Sequence, residues 1–97
     1  MRRAARTDGN HAEVARALRA AGILVADTSR LGGGFPDLVA ARQAGGPCIL
    51  IEIKDGSLPP SARRLTPAEA EFHGAWGPHV AIVTSAEDAL RLFGVIS

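Results

Sequence analysis

The stretch Cys48-Ile49-Leu50-Ile51-Glu52-Ile53-Lys54 limits the folds open to this 97-residue chain more than any other. It is short, rich in β-branched residues, and bounded by Gly45-Gly46-Pro47 on one side and Asp55-Gly56 on the other, which reads as a strand rather than a helix. Its near-continuous apolarity makes it a central strand, buried on both faces. A central strand needs a neighbour on each side and helices to cover the sheet, so the rest of the chain must supply them. Glu52 and Lys54 do not fit this picture, because a buried strand ordinarily excludes charge.

The flanking segments supply what such a strand needs. Asn10 is a candidate cap for a helix from about His11 to Ala21, on which Val14, Ala17, Leu18 and Ala21 form one apolar stripe, and Gly22 ends it. Ile23 to Asp27 reads as a strand, Ser29 to Pro36 as a loop and Asp37 to Arg42 as a second strand. The Gln43 to Pro47 turn leads into the third strand, so these two form a hairpin. Asp55 to Arg64, with Pro59-Pro60, has no periodicity and reads as a loop. Thr66-Pro67-Ala68-Glu69 opens the next helix with a threonine cap, a first-turn proline and a capping-box glutamate. That helix runs to about Trp76, which is expected to pack in the core with Phe72. His79 to Thr84 is a fourth strand, and Ser85 caps a last helix through about Phe93. The order is α-β-β-β-α-β-α, an α/β chain with a mixed four-stranded sheet, a parallel crossover joining the third and fourth strands, and helices on both faces.

A hydrophobic content of 46% with 22% charged residues suits one globular domain spanning residues 1–97. Residues 1–9 are read as a disordered basic arm. The lone cysteine, Cys48, excludes a disulfide framework and reads as a small core residue in a reducing compartment. No apolar run follows Arg2, Arg3 and Arg6, and no stretch is long enough to span a bilayer, so the expected location is cytoplasmic with no membrane partner. The net charge of +1 is not the footprint of a strongly basic binder. Its distribution is uneven, with an arginine excess over residues 1–30 and an acidic excess after Leu65.

Alternation along the third strand sends Ile49, Ile51 and Ile53 to one face and Leu50, Glu52 and Lys54 to the other. In a hairpin the start of one strand lies near the end of the next, which brings Asp37 beside Glu52 and Lys54. Two carboxylates at close range repel unless a proton or a cation lies between them. A hard divalent ion such as Mg²⁺ resolves the conflict with one or two carboxylates, waters and phosphate oxygens, and the Ile53 backbone carbonyl is a further candidate ligand. The alternative is an edge-strand ion pair in water, worth under about 1 kcal/mol.

Pro36-Asp37 followed by Glu52-Ile53-Lys54 resembles the signature of the PD-(D/E)xK nucleases. The surrounding segments, from Glu13 through "GGGFPDL", "IEIKDG", "LTPAEAEFHGAW" and "VAIVTSAEDAL", are similar to its small stand-alone VRR-NUC, resolvase-like members. The resemblance implies a restriction-endonuclease-like core and Mg²⁺- or Mn²⁺-dependent hydrolysis of phosphodiester bonds. It makes Asp37 and Glu52 metal ligands and Lys54 the catalytic lysine, with DNA, structured or branched, favoured over RNA. Relatives often carry a glutamine early in the helix after the ExK strand; here the positions hold Glu69, Ala70 and Glu71. Lysine usage adds independent weight, because ten of the eleven basic residues are arginine and the single lysine is Lys54. A compact ammonium does chemistry that a guanidinium does not.

Glu13, at the edge of the first helix's stripe, is a further candidate for the metal, directly or through water, or else a solvated glutamate. Arg30, Arg63 and Arg64 are candidate phosphate contacts or plain surface charge, and Gly33 and Gly34 belong to a substrate-side loop. His11 and His73 read as surface or core-edge residues. A twofold partner is expected because so small a sheet leaves apolar surface uncovered. Two alternatives stay open beside the nuclease: a subunit of the same fold that binds nucleic acid without cutting, and, more distantly, a regulator that binds a nucleotide phosphate.

Overall fold

The aliphatic run forms β3 (Ile49–Ile53) of a computed structural model that describes residues 8–97. Before it come α1 (His11–Ala20), β1 (Ile23–Asp27) and β2 (Leu38–Arg42); after it come α2 (Pro67–Trp76), β4 (Val80–Val83) and α3 (Ala86–Leu92). Single 3₁₀ turns at Pro60–Arg63 and Gly77–His79 lead into and out of α2. The strands lie in the order β1-β2-β3-β4, so β3 has a neighbour on each side. The β1–β2 and β2–β3 pairs are antiparallel and β3–β4 is parallel, the last joined through α2 because a parallel pair needs a long crossover. The mixed four-stranded sheet flanked by helices is the arrangement expected from the sequence.

Pairing of Leu38 with Ile51 and Ala40 with Ile49 places Ile23, Leu38, Ala40, Ile51, Ile53 and Val83 in one core. Val14, Ala15 and Leu18 of α1 close that core together with Ala89 and Phe93, at the end of α3. The opposite face is less covered. Leu24 and Ile82 are half exposed there, and α2, which contributes no buried residue, reaches it only through Glu69, Phe72 and His73.

Three local expectations are corrected. Asn10 does not cap α1 with its side chain; its amide instead donates to the carbonyls of Lys54 and Thr84, at 3.2 and 3.0 Å. Cys48 is exposed because β3 begins one residue later. Trp76 is not a core residue, since α2 turns that end away from the sheet and leaves it 47% exposed. The basic arm falls largely on residues 1–7, outside the described residues, whereas Asp8 and Gly9 are placed and line a cleft. Among the described residues no helix is long and apolar enough to cross a membrane.

Candidate active site

The hairpin register decides where the charged side chains meet. Asp37 directly precedes β2, and its N–H donates to the Ile51 carbonyl at 2.9 Å. Its carboxylate turns back onto β3, where Oδ2 accepts the Ile53 N–H at 2.8 Å. The next amide, Lys54 N–H, points the other way, to the Val83 carbonyl at 2.9 Å. Within a strand the N–H and C=O of one residue share a side, so the Ile53 carbonyl is turned toward Asp37. Glu52 is only 2% exposed and Lys54 only 8%, so neither is an edge-strand charge in water.

Lys54 is held at several points. Its ammonium lies 2.7 Å from Glu69 Oε1 and 3.8 Å from Glu52 Oε2. Its carbonyl accepts from Asn10, which ties the start of α1 to the ends of β3 and β4. Glu69 has two tasks: Oε1 also accepts the Thr66 N–H at 2.9 Å, while the Thr66 hydroxyl accepts the Glu69 N–H at 3.2 Å. The capping box read from the sequence therefore also aims a carboxylate at the lysine. Gly34 sets the loop against that same first turn. Its φ is +84°, and a Cβ there would collide with the Ala68 carbonyl.

A cleft of about 540 Å³ gathers these groups, lined by Asp8, Asp37, Glu52, Asp55 and Glu69 with Lys54 and Arg64 as its cations. Among the described residues, five carboxylates face two cations. Burial, reinforced by the charges of Asp37 and Glu69 and a hydrogen bond to Asp37, pushes the Glu52 carboxyl up to about 9. Burial likewise raises Asp8, opposed by the charge of Lys54 and assisted by those of Asp37 and Asp55. For Lys54, burial is outweighed by the bond to Glu69 and the charges of Glu69 and Glu52, so its pKa lies above the ordinary lysine value.

Opposite Glu52 stands His73. Its Nε2 is 3.9 Å from Glu52 Oε1, too far for a hydrogen bond, and neither buried atom has a hydrogen-bond partner among the described residues. The cleft thus holds an apposed carboxylate pair with one buried oxygen unmatched. Asp37, Glu52 and the Ile53 carbonyl fit a hard cation that keeps waters and takes phosphate oxygens. Among the described residues no three His, Cys, Asp or Glu side chains form a ready ligand cage, so an ion here would rely on such outside oxygens.

The structure brings Asp37, Glu52 and Lys54 together with Arg64. It does not bring Glu13, which is exposed on α1 and does not line the cleft; Asp8, three residues before the helix, reaches it instead. Arg30 is exposed in the β1–β2 loop and lies outside the lining. Arg63 also lies outside it, its Nε donating to the Leu58 carbonyl at 2.8 Å to close the loop before α2. Gly33 is exposed with φ +65°, and Gly34 is packed on α2 rather than open for phosphate. Asp8, Asn10, Glu69 and His73 are the site neighbours that sequence reasoning missed. Only Glu69 carried a signal, its place in the capping box. Set against protein-family models, curated proteins and solved structures, the chain matches none in any of the three comparisons.

Proposed function

We infer that the chain is a metal-dependent nuclease with a restriction-endonuclease-like core, hydrolysing phosphodiester bonds in DNA. The observation that carries this reading is the apposition of Asp37 with the buried Glu52 beside the chain's only lysine, in a cleft where the described residues place five carboxylates and two cations. Such a surplus of carboxylates over cations calls for a proton or a metal ion among them, and a metal ion there is what a phosphodiester needs in order to approach them. Asp37 and Glu52 would hold Mg²⁺ or Mn²⁺, assisted by the Ile53 carbonyl. When bound, the ion supplies Lewis-acid stabilisation of the phosphate and a water of lowered pKa.

The chain's own residues do the rest. Lys54 presents a single ammonium to the attacking water or to the charge that develops on the phosphate. Glu69 fixes that ammonium through its 2.7 Å bond, and Asn10 fixes the backbone behind it. Arg64 on the cleft wall offers a phosphate-backbone contact. A twofold assembly through the open sheet face, where Leu24 and Ile82 lie half exposed, would give paired sites for two strands.

The test is a panel of linear, flapped and branched DNAs and the matching RNAs with Mg²⁺, Mn²⁺, Ca²⁺ or EDTA. Cleavage with Mg²⁺ or Mn²⁺ that stops in EDTA and in Asp37→Asn is expected. Binding without cleavage under every condition would transfer the assignment to a non-cutting subunit of the same fold.

A further inference from the structure

Four rings form an unbroken line away from the cleft. Phe35 and Phe72 meet edge to face at 5.2 Å between centroids, and Phe72 and Trp76 stack at 5.2 Å with planes 4° apart. Trp76 then meets His79 edge to face at 6.4 Å. Glu69, Phe72, His73 and Trp76 follow the helical spacing that puts them on one side of α2. The near end of the line belongs to the site: Phe35 lies two residues before Asp37, and Glu69 and His73 face Lys54 and Glu52 at 2.7 and 3.9 Å.

The far end lies in water. Trp76 is 47% exposed although Phe72 stacks on its indole and His79 meets the ring edge to face. A parallel pair of rings already has the geometry that a third flat ring extends. The aliphatic residues left open elsewhere, Leu24 and Ile82, suit a protein neighbour; the aromatic line is different in kind and runs from the cleft rim. A flat ring close to a phosphate site is a nucleobase, and a base offers its face to an indole only when it is unpaired.

We propose that Trp76 is a stacking platform for an unpaired base of the strand being cut, so that the preferred substrate carries single-stranded nucleotides beside the cleavage point. The proposal rests on the nuclease reading above. Glu69 and Trp76 lie seven positions apart on α2, a helical rise of about 10 Å, which is the length of a few stacked nucleotides.

Trp76 is the only tryptophan and the chain has no tyrosine, so intrinsic emission reports this one ring. The full-length protein is titrated in Ca²⁺ with labelled oligothymidylate and with a blunt duplex of equal length, following both emission and label anisotropy, with strand integrity checked on gels. Saturable quenching by oligothymidylate and little by duplex is expected. Trp76→Ala should lose about 10- to 100-fold in oligothymidylate affinity with duplex affinity unchanged, and Trp76→Phe should keep most of it. Binding by anisotropy with unchanged emission, or Trp76→Ala binding like the parent, overturns the platform while Mg²⁺-dependent cutting leaves the nuclease reading standing. Emission that follows protein dilution in step with light scattering, and ignores oligonucleotide, overturns it in favour of a second copy covering the ring. A parent that neither binds nor cuts any nucleic acid overturns both.

Discussion

Glu52→Gln should stabilise the metal-free protein, and by more as the pH rises. In the folded chain the Glu52 carboxyl titrates at about 9 instead of its ordinary 4.5, because it is buried against Asp37. The folded state therefore keeps a proton that the unfolded chain has released. Stability from this group is complete below the ordinary value and falls by about 1.4 kcal/mol per pH unit as pH rises toward the folded value. By about pH 8 the loss is on the order of 5 kcal/mol, comparable to the whole stability of a small domain. Glutamine keeps the shape and is neutral at every pH, so it suffers no such loss. For a domain of this size each kcal/mol moves Tm by about 4–8 °C, so the gap between variant and parent should widen by about 5–10 °C per pH unit. Thermal melts of both proteins in EDTA between about pH 5 and 8 measure that gap, and groups common to both largely cancel in the difference. Mn²⁺ added at the alkaline end should raise the parent and leave the variant where it was. A gap that stays constant with pH would refute the reasoning, because Glu52 would then be ionising like a solvated carboxylate.

Lys54→Arg keeps the charge but replaces a compact ammonium with a wide planar group, and it should cut at least about 100-fold more slowly while still binding substrate and metal; activity within a few-fold of the parent would reduce Lys54 to electrostatics. Gly33→Ala and Gly34→Ala form a matched pair, both at positive φ but only the second in collision with the Ala68 carbonyl. Denaturant unfolding should show a loss of about 1–2 kcal/mol for the first and at least about 3 kcal/mol for the second, and equal losses would mean that Gly34 does not seat the loop on α2. Light scattering at high micromolar concentration should give a dimer, and Leu24→Lys on the open sheet face should dissociate it; a monomeric parent rejects the twofold assembly.

Asp37, Glu52 and Lys54 could be placed together from the sequence because strand alternation and a hairpin turn are local rules, and together they set the register. The apposition then needed only the pairing of Leu38 with Ile51. Glu69 was visible as a helix cap, yet nothing local says that a capping carboxylate also reaches a lysine 15 residues earlier. Asp8, Asn10 and His73 depend on how α1 and α2 come down on the sheet ends, a tertiary matter with no periodic trace. Asn10 looked like a cap because its type and position suit one; the carbonyls of Lys54 and Thr84 took its amide instead. Glu13 failed for the opposite reason: a place at the edge of an apolar stripe fixes a helix face only loosely, and here the rotation sends it to solvent. Trp76 and Phe72 at helical spacing resembled a core stripe, but Trp76 stacks on Phe72 while staying half exposed.

Helix α2 brings Glu69 to the cleft and His73 beside Glu52 but buries no residue, whereas α1 buries four. Free energies of local opening range from near zero to the full stability of the domain, and elements with few buried apolar contacts lie at the low end. By that measure α2 is expected to open at a lower free energy than α1. Its departure would carry Glu69 off Lys54 and uncover the buried oxygen of Glu52 in one movement. The amides of α2 would then exchange with solvent at the rate of this opening rather than at the rate of global unfolding.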